Sequence, residues 1–520
     1  MRKKAVLIII LIFFGALIIL NLPQADDKTV RESSKNDNIP EINIPNCPDC
    51  NVILISLDTL RADRLGCYGY ERNTSSNIDD FAENSILFKN TFSNAYFTLP
   101  SHMSIFTSLY PITHKINNPF SESPNQPLNK LSEDYLTMAE IMKNNGYSTT
   151  WAAPLNNSYL NLERGFERGF DEKYSTLFEK GSWGSVSGLN HESLLKMIEK
   201  GKEGKFFWFV HSYIDHAPYI YPEEYNYIFS SQDYEGNLPD EFPTLNKLYF
   251  QEIVRLYKEE PEIMSEKFNK IKAKQKTEFI DTIITEDLDK YLNLIENISF
   301  KLELRDTFDL VYVSLYYSSI SDNISESDVI EISNRYDNGV IFNDILLGEF
   351  FSELKKNNLW NNTIIIITSD QGDQLYENGD FDHTTFYDHT IHVPLIIKVP
   401  GMESGMEVDK MTQSVDILPT LLDLLDIDGP EQMQGKSYLN YSNQNNYVYG
   451  YSLGSYYIRS SEWKYIITRE GNIGLYNLKD DPLEQNNMIE DRNSVEIKKN
   501  MEEEITRWTI NQEWIIYQNI

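Results

Sequence analysis

Asn51-Val52-Ile53-Leu54-Ile55-Ser56-Leu57-Asp58 is a continuous apolar run that ends in a carboxylate. A strand covered on both faces reads as an unbroken hydrophobic run, whereas a half-solvated strand alternates. This octapeptide therefore predicts a central strand of a parallel sheet, with its polar end at the edge where open α/β sheets keep their chemistry. Runs of the same kind recur at 148–152, 206–211, 363–368 and 394–399, separated by helical patterns such as 135–144 and 330–355. Buried strands alternating with helices predict an α/β fold, a mainly parallel sheet flanked by helices.

Upstream of that strand, Met1-Arg2-Lys3-Lys4 precedes an apolar stretch over residues 5–22. As a helix it would measure about 27 Å, close to a bilayer core of about 30 Å. Three cations before it and Asp26 and Asp27 after it leave the N-terminus in the cytoplasm by the positive-inside rule. The stretch is long for a signal peptide and lacks a small-x-small cleavage site, so an uncleaved transmembrane anchor over 1–22 is expected. Residues 23–46 are polar and aperiodic, a linker. The globular part would then lie outside the cell membrane.

Downstream, residues 222–328 are rich in Lys, Glu, Asp and Tyr with long helical patterns such as 249–258 and 262–274, a helical insertion in a catalytic domain spanning 47–430. Residues 431–520 change character to short alternating runs, 447–453 and 463–468, and an amphipathic helix at 494–508. They predict a small C-terminal antiparallel sub-domain.

The chain has 520 residues, 41% hydrophobic and 13% aromatic, with 33 Tyr and 26 Phe, which excludes disorder for most of its length. Lys and Arg total 46 and Asp and Glu 79, a net charge of −33 (46 − 79) that argues against a nucleic-acid partner. The three cysteines are Cys47, Cys50 and Cys67. Cys47-Pro48-Asp49-Cys50 has no second Cys or His pair at ligand spacing, which leaves a local disulfide or free thiols.

Two strand ends carry the strongest chemical signal. Ile366-Ile367-Thr368-Ser369-Asp370-Gln371-Gly372 repeats the pattern of Leu57-Asp58, a buried strand running into acidic and amide side chains. Two carboxylates at adjacent strand ends with an amide oxygen make a hard-oxygen set for a cation, although a single Asp at a strand end is more often a helix cap. Phe97-Thr98-Leu99-Pro100-Ser101-His102 places a hydroxyl just ahead of a helical pattern, where it either caps the helix or serves as a nucleophile.

Together these stretches resemble the sulfatase family of the alkaline phosphatase superfamily. The resemblance runs from Asn51 to about Trp508 through Asp58-Thr59-Leu60-Arg61-Ala62-Asp63, Thr98-Leu99-Pro100-Ser101-His102, Asp215-His216-Ala217-Pro218, Ser369-Asp370-Gln371-Gly372, Asp382-His383, Asp416-Ile417-Leu418-Pro419-Thr420 and Lys464-Tyr465-Ile466. It implies that Asp58, Asp370, Gln371 and Thr98 hold one divalent metal ion. Oxygen donors favour calcium, magnesium or manganese, with zinc admitted if a histidine joins the set. It further implies that His216 and His383 bind the substrate or protonate the leaving group, and that His102 stands at a substrate-binding position.

Two departures from the family pattern bear on the chemistry. Sulfatases carry a cysteine or serine, matured to formylglycine, where this chain has Thr98, and an arginine where it has His102. Relatives with threonine there use the hydroxyl itself, as phosphodiesterases and phosphoglycerol or phosphoethanolamine transferases. The segment 152–156 also lacks the Lys and His of true sulfatases. The expected activity is thus a membrane-anchored, single-pass, extracytoplasmic hydrolase of sulfate or phosphate esters in which metal-bound Thr98 attacks in line. The alternatives are a transferase of phospho-substituents onto cell-surface glycans or lipids, and a non-catalytic binding protein on a decayed sulfatase scaffold.

Overall fold

A computed structural model describes residues 44–117, 129–153, 164–174, 189–217, 221–231, 324–439 and 446–518, with isolated positions between them. The transmembrane anchor expected at 1–22, most of the 222–328 insertion and residues 154–156 lie outside the described residues. Among the described residues no helix is long and apolar enough to cross a membrane.

In chain order the strands are β1 (Asn51–Leu57), β2 (Ile86–Phe92), β3 (Ser148–Ala152), β4 (Glu172–Tyr174), β5 (Phe206–Ser212), β6 (Thr363–Thr368), β7 (Gln374–Leu375), β8 (Phe381–Asp382), β9 (His392–Lys398), β10 (Met406–Gln413), β11 (Val448–Ser452), β12 (Ser455–Arg459), β13 (Trp463–Ile467) and β14 (Ile473–Asn477). The opening octapeptide forms β1, buried at every position. It lies between β5 and β6, parallel to both, in an eight-stranded sheet of order β10-β2-β9-β6-β1-β5-β3-β4. Only β9 runs against its neighbours, antiparallel to β2 and β6. The sheet is mainly parallel, as its hydrophobic runs predict, and the reversal at β9 is one that an apolar run, which carries no direction, does not reveal.

The two-residue period of a strand divides the core in two. Ile53, Ile55 and Leu57 of β1 pack with Trp208, Val210, Ile365 and Ile367 against Ile332, Tyr336, Val340 and Leu347 of the Glu326–Lys356 helix. Val52 and Leu54 pack with Phe207, Phe209, Ile364 and Ile366 against Leu99, Met103 and Phe106 of the Thr98–Thr107 helix and against Leu418 and Leu421. Each such side chain, fully buried, contributes on the order of 2 kcal/mol. The 31-residue Glu326–Lys356 helix starts on a capping box in which Ser325 accepts from Asp328 N and Asp328 reaches back to Ser325 N. That cap contributes about 1 kcal/mol.

The C-terminal part is a four-stranded antiparallel meander, β11-β12-β13-β14, followed by the Val495–Gln518 helix. Met501, Ile505 and Trp508 of that helix pack on Ile458, Tyr465 and Leu475 of the meander. Cys47 and Cys50 form a disulfide, and Cys67 is free.

Candidate active site

β6, β1 and β5 lie side by side and end at one edge of the sheet, where the backbone hands over to Ser369-Asp370-Gln371, Asp58-Thr59 and Tyr213. The register pairs Ser56 with both Thr368 and His211. Even positions of β1 face the Thr98–Thr107 helix, so Ser56 and Asp58 point to the layer from which Thr98 and His102 come. Asp58, Thr98, His102, His211, Asp370 and Gln371 are all buried.

The Gln371 amide joins the set expected to hold a metal. Its Nε2 is 3.4 Å from Asp58 Oδ1 and 3.2 Å from Thr98 Oγ1. Asp370 turns Oδ1 toward the backbone, accepting from Thr59 N at 3.3 Å and Gln371 N at 3.0 Å. The turn after these residues depends on Gly372, because a Cβ there would sit 2.1 Å from the His389 carbonyl oxygen. Thr98 is the first residue of its helix, after extended Phe97, so its hydroxyl stands at the positive end of the helix dipole.

These residues fit a divalent cation. Asp370 Oδ2, Gln371 Oε1 and Thr59 Oγ1 are buried oxygens without a hydrogen-bond partner among the described residues. Buried acceptors left unmatched cost about 1–3 kcal/mol each, and an oxygen-liganded cation removes that cost. A half-turn of the Gln371 amide exchanges Nε2 for Oε1 at the point where Asp58 and Thr98 converge.

His102 takes a place behind this set. Its Nδ1 is 2.8 Å from the Thr98 carbonyl, which can only accept, so Nδ1 carries the proton and Nε2 accepts from Ser56 Oγ at 2.8 Å. Nδ1 is also 3.5 Å from Asp370 Oδ2. Burial pulls its pKa down to about 4, against the opposing pull of Asp370, so the ring is neutral at pH 7. Both ring nitrogens are engaged by the protein, which is not the exposed donor that a substrate-binding arginine in its place would offer.

His216 and His383 come together beside Phe97. Their ring centroids are 5.3 Å apart, edge to face, and His383 also packs edge to face on Phe97 at 5.6 Å. His216 stacks on Tyr213 and holds Nδ1 2.8 Å from the Ala217 carbonyl. His383 Nδ1 faces Asp382 Oδ1 at 2.8 Å and Asp373 Oδ1 at 3.6 Å. Burial opposes its charge, but the two carboxylates outweigh burial and hold its pKa well above the usual histidine range. The buried Tyr219 hydroxyl in turn donates to Asp373.

Asp373, Asp382 and His383 also bring one ligand atom each within 4.8 Å of one another, the one such grouping of acidic, histidine or cysteine side chains among the described residues. The strand-end set is the better cation site on chemistry. Its third donor is a neutral amide, and Asp370 Oδ2 and Gln371 Oε1 have no hydrogen-bond partner among the described residues, whereas Asp373 Oδ2 accepts from Tyr219 and Asp382 Oδ1 from His383 N.

Sequence reasoning assigns no metal-binding or catalytic role to five neighbours of the site: Thr59, Ser56, His211, Asp373 and Asp382. His211 Nε2 lies 3.3 Å from Asp58 Oδ2, and burial lowers its pKa to about 4. Only the pairing of Ser56 with His211 across β1 and β5 brings it there. Thr59 has a left-handed φ of 55°, an unusual conformation for a β-branched residue that directs its backbone N–H at Asp370.

Residues 50–427 match the family model described as sulfatase, and residues 376–511 match the one described as N-sulphoglucosamine sulphohydrolase, C-terminal. Arylsulfatase K of Rattus norvegicus is 28% identical over 208 residues, 36% of this chain and 37% of that protein. The chain thus spans little more than a third of the length of the arylsulfatase K relatives it matches. Iduronate 2-sulfatase of Mus musculus is 24% identical over 425 residues, 73% of this chain and 69% of that protein. Among solved structures, phosphonate monoester hydrolase of Agrobacterium radiobacter superposes with a TM-score of 0.62 at 18% identity, covering 91% of this chain and 96% of that one. A protein solved in complex with its substrate D-glucosamine-2-N,6-O-disulfate superposes with a TM-score of 0.61 at 17% identity, covering 91% and 99%.

Proposed function

Because the chain belongs to the sulfatase family, we propose that it is a membrane-anchored, extracytoplasmic hydrolase of sulfate or phosphate esters in which the Thr98 hydroxyl is the nucleophile. The observation that carries this reading is the Gln371 amide within reach of both Asp58 and Thr98 at the C-terminal ends of adjacent parallel strands. Asp58, Asp370 and Gln371 would hold a divalent cation, which when bound would supply Lewis-acid neutralisation of the ester's anionic oxygens and of charge developing on a neighbouring hydroxyl. Calcium, magnesium or manganese suits these donors.

The rest is the work of side chains. Thr98 Oγ1, its proton passing to solvent, forms a bond to phosphorus or sulfur as the ester bond to the leaving oxygen breaks, in line, aided by the helix dipole at its position. His383, kept cationic by Asp382 and Asp373, gives its proton to that oxygen, and His216 beside it orients the ester. Water, giving one proton to the now neutral His383, then attacks the phosphorus or sulfur of the Thr98 adduct, and the Thr98 oxygen leaves and takes a proton from solvent, which regenerates both groups. His102, engaged by Ser56 and the Thr98 carbonyl, acts as a positioning residue that fixes the first turn of the Thr98 helix.

Threonine cannot be matured to formylglycine, which favours phosphodiesters within the ester class. The Cys47–Cys50 disulfide supports an oxidising, extracytoplasmic location. The test is a substrate panel for the purified protein: aryl sulfate, phosphate monoester, phosphodiester and phosphonate monoester, each with calcium, magnesium, manganese and zinc. Metal-dependent turnover of at least one ester is expected, and none across the panel would reject the reading.

A further inference from the structure

Two separate chain segments must keep their spacing for Thr98 and His383 to serve one substrate: residues 93–97, which lead into Thr98, and the loop at 376–391, which carries His383. The four-stranded C-terminal sheet grips both. On the first segment, Tyr457 OH donates to the Ser93 carbonyl at 2.7 Å and Tyr96 OH donates to the Ser452 carbonyl at 3.0 Å. Asn94 Nδ2 donates to the Tyr449 carbonyl at 2.7 Å, and Tyr451 N donates to the Asn94 carbonyl at 2.9 Å.

On the second segment the grip is ionic and buried. Lys464 of β13 places Nζ 2.5 Å from Asp388 Oδ1 and 2.7 Å from Glu484 Oε1. Arg459 of β12 places Nη2 2.9 Å from Asp388 Oδ2, and Glu484 Oε2 accepts from Asp388 N at 2.6 Å. The Lys464 and Glu484 side chains have no solvent exposure. Two cations face two carboxylates, so removing any single member leaves a net charge. Phe386 joins the two segments, packed between Tyr96 at 4.6 Å and Tyr457 at 4.8 Å.

We propose that the C-terminal sheet sets the spacing between the nucleophile segment and the His383 loop, and that Lys464 is the positioning residue on which the loop contact depends. The proposal rests on the reading of Thr98 and His383 as acting on one ester. Removing a single partner from a buried ion group leaves an uncompensated charge, whereas removing an opposite pair does not. Lys464→Met should therefore release the loop, and Lys464→Met combined with Glu484→Gln should restore it in part.

The experiment is hydrogen exchange by mass spectrometry on the full chain, with steady-state kinetics on whichever panel ester is turned over. Lys464→Met should speed exchange in 376–391 roughly tenfold and lower kcat roughly tenfold, with little change in KM and with β1 and β6 still protected. The double variant should recover both quantities in part. Should Lys464→Met not fold, the double variant and Tyr457→Phe decide. The former should then fold with 376–391 protected, and the latter should loosen 93–97 alone. Unchanged exchange in 376–391, or equal loosening of the whole sheet in single and double variants, would overturn the proposal. Selective loosening in a protein whose wild type turns over no ester would retain the clamp and reject the functional reading instead.

Discussion

Asp370→Asn separates a carboxylate that holds a cation from one that holds the fold. The amide keeps its size, and its oxygen retains the two bonds that Asp370 Oδ1 accepts from Thr59 N and Gln371 N. What changes is Oδ2, buried without a hydrogen-bond partner and 3.5 Å from His102 Nδ1. An amide NH₂ there meets another donor and loses about 1–3 kcal/mol of satisfaction, offset by removal of a buried carboxylate that has no full partner. The metal-free variant should thus lie within about 2 kcal/mol of metal-free wild type. Metal at one hundred times its dissociation constant stabilises wild type by about 2.7 kcal/mol. Unfolding entropy of about 2.1 cal/mol/K per residue over the 44–520 unit makes 1 kcal/mol close to 1 °C, so the expected rise is roughly 3 °C. Calorimetry with and without calcium, magnesium or manganese should show that rise in wild type and less than about 1 °C in the variant. An equal rise in both would refute the ligand assignment. A metal-free midpoint lowered by more than about 4 °C would show that the carboxylate serves the fold.

Thr98→Ala should lose at least about a thousandfold in kcat while still binding metal, and Thr98→Ser should recover part of the rate in the same assay. The activity of wild type should persist above neutral pH and fall only as pH rises through the elevated pKa of His383, since the active form is the imidazolium. Asp382→Asn should move that alkaline limb of kcat/KM down by about 1–3 pH units, whereas a limb that stays in place would show that the carboxylate does not act on His383. Deleting residues 1–22 should release a soluble protein from membranes, and full-length protein in a soluble fraction with an intact N-terminus would contradict the anchor.

The part of this account legible in the sequence is the part written in local pattern. β1, β5 and β6 announce themselves as apolar runs, and Asp58, Asp370 and Gln371 follow closely on two of them. β2 escaped because its register shifts between Phe88 and Thr91 and Lys89 and Asn90 interrupt the run. β10 is an edge strand, MEVDKMTQ, with too few buried positions to read as core. What depends on pairing stayed hidden. His211 reaches Asp58 only through the register of β5 on β1, and Asp373 reaches His383 only because the chain folds back through the β7-β8 hairpin. His102 illustrates the opposite limit, since its position in a motif says nothing of the Ser56 hydroxyl beneath it.

The most direct test of the central claim is mass analysis of a reaction quenched at short times with a turned-over ester. If Thr98 is the nucleophile, the peptide that contains it should carry the mass of the transferred phospho or sulfo group, and the adduct should decay at a rate compatible with turnover. Turnover without any adduct on that peptide, together with an active Thr98→Ala variant, would contradict the account.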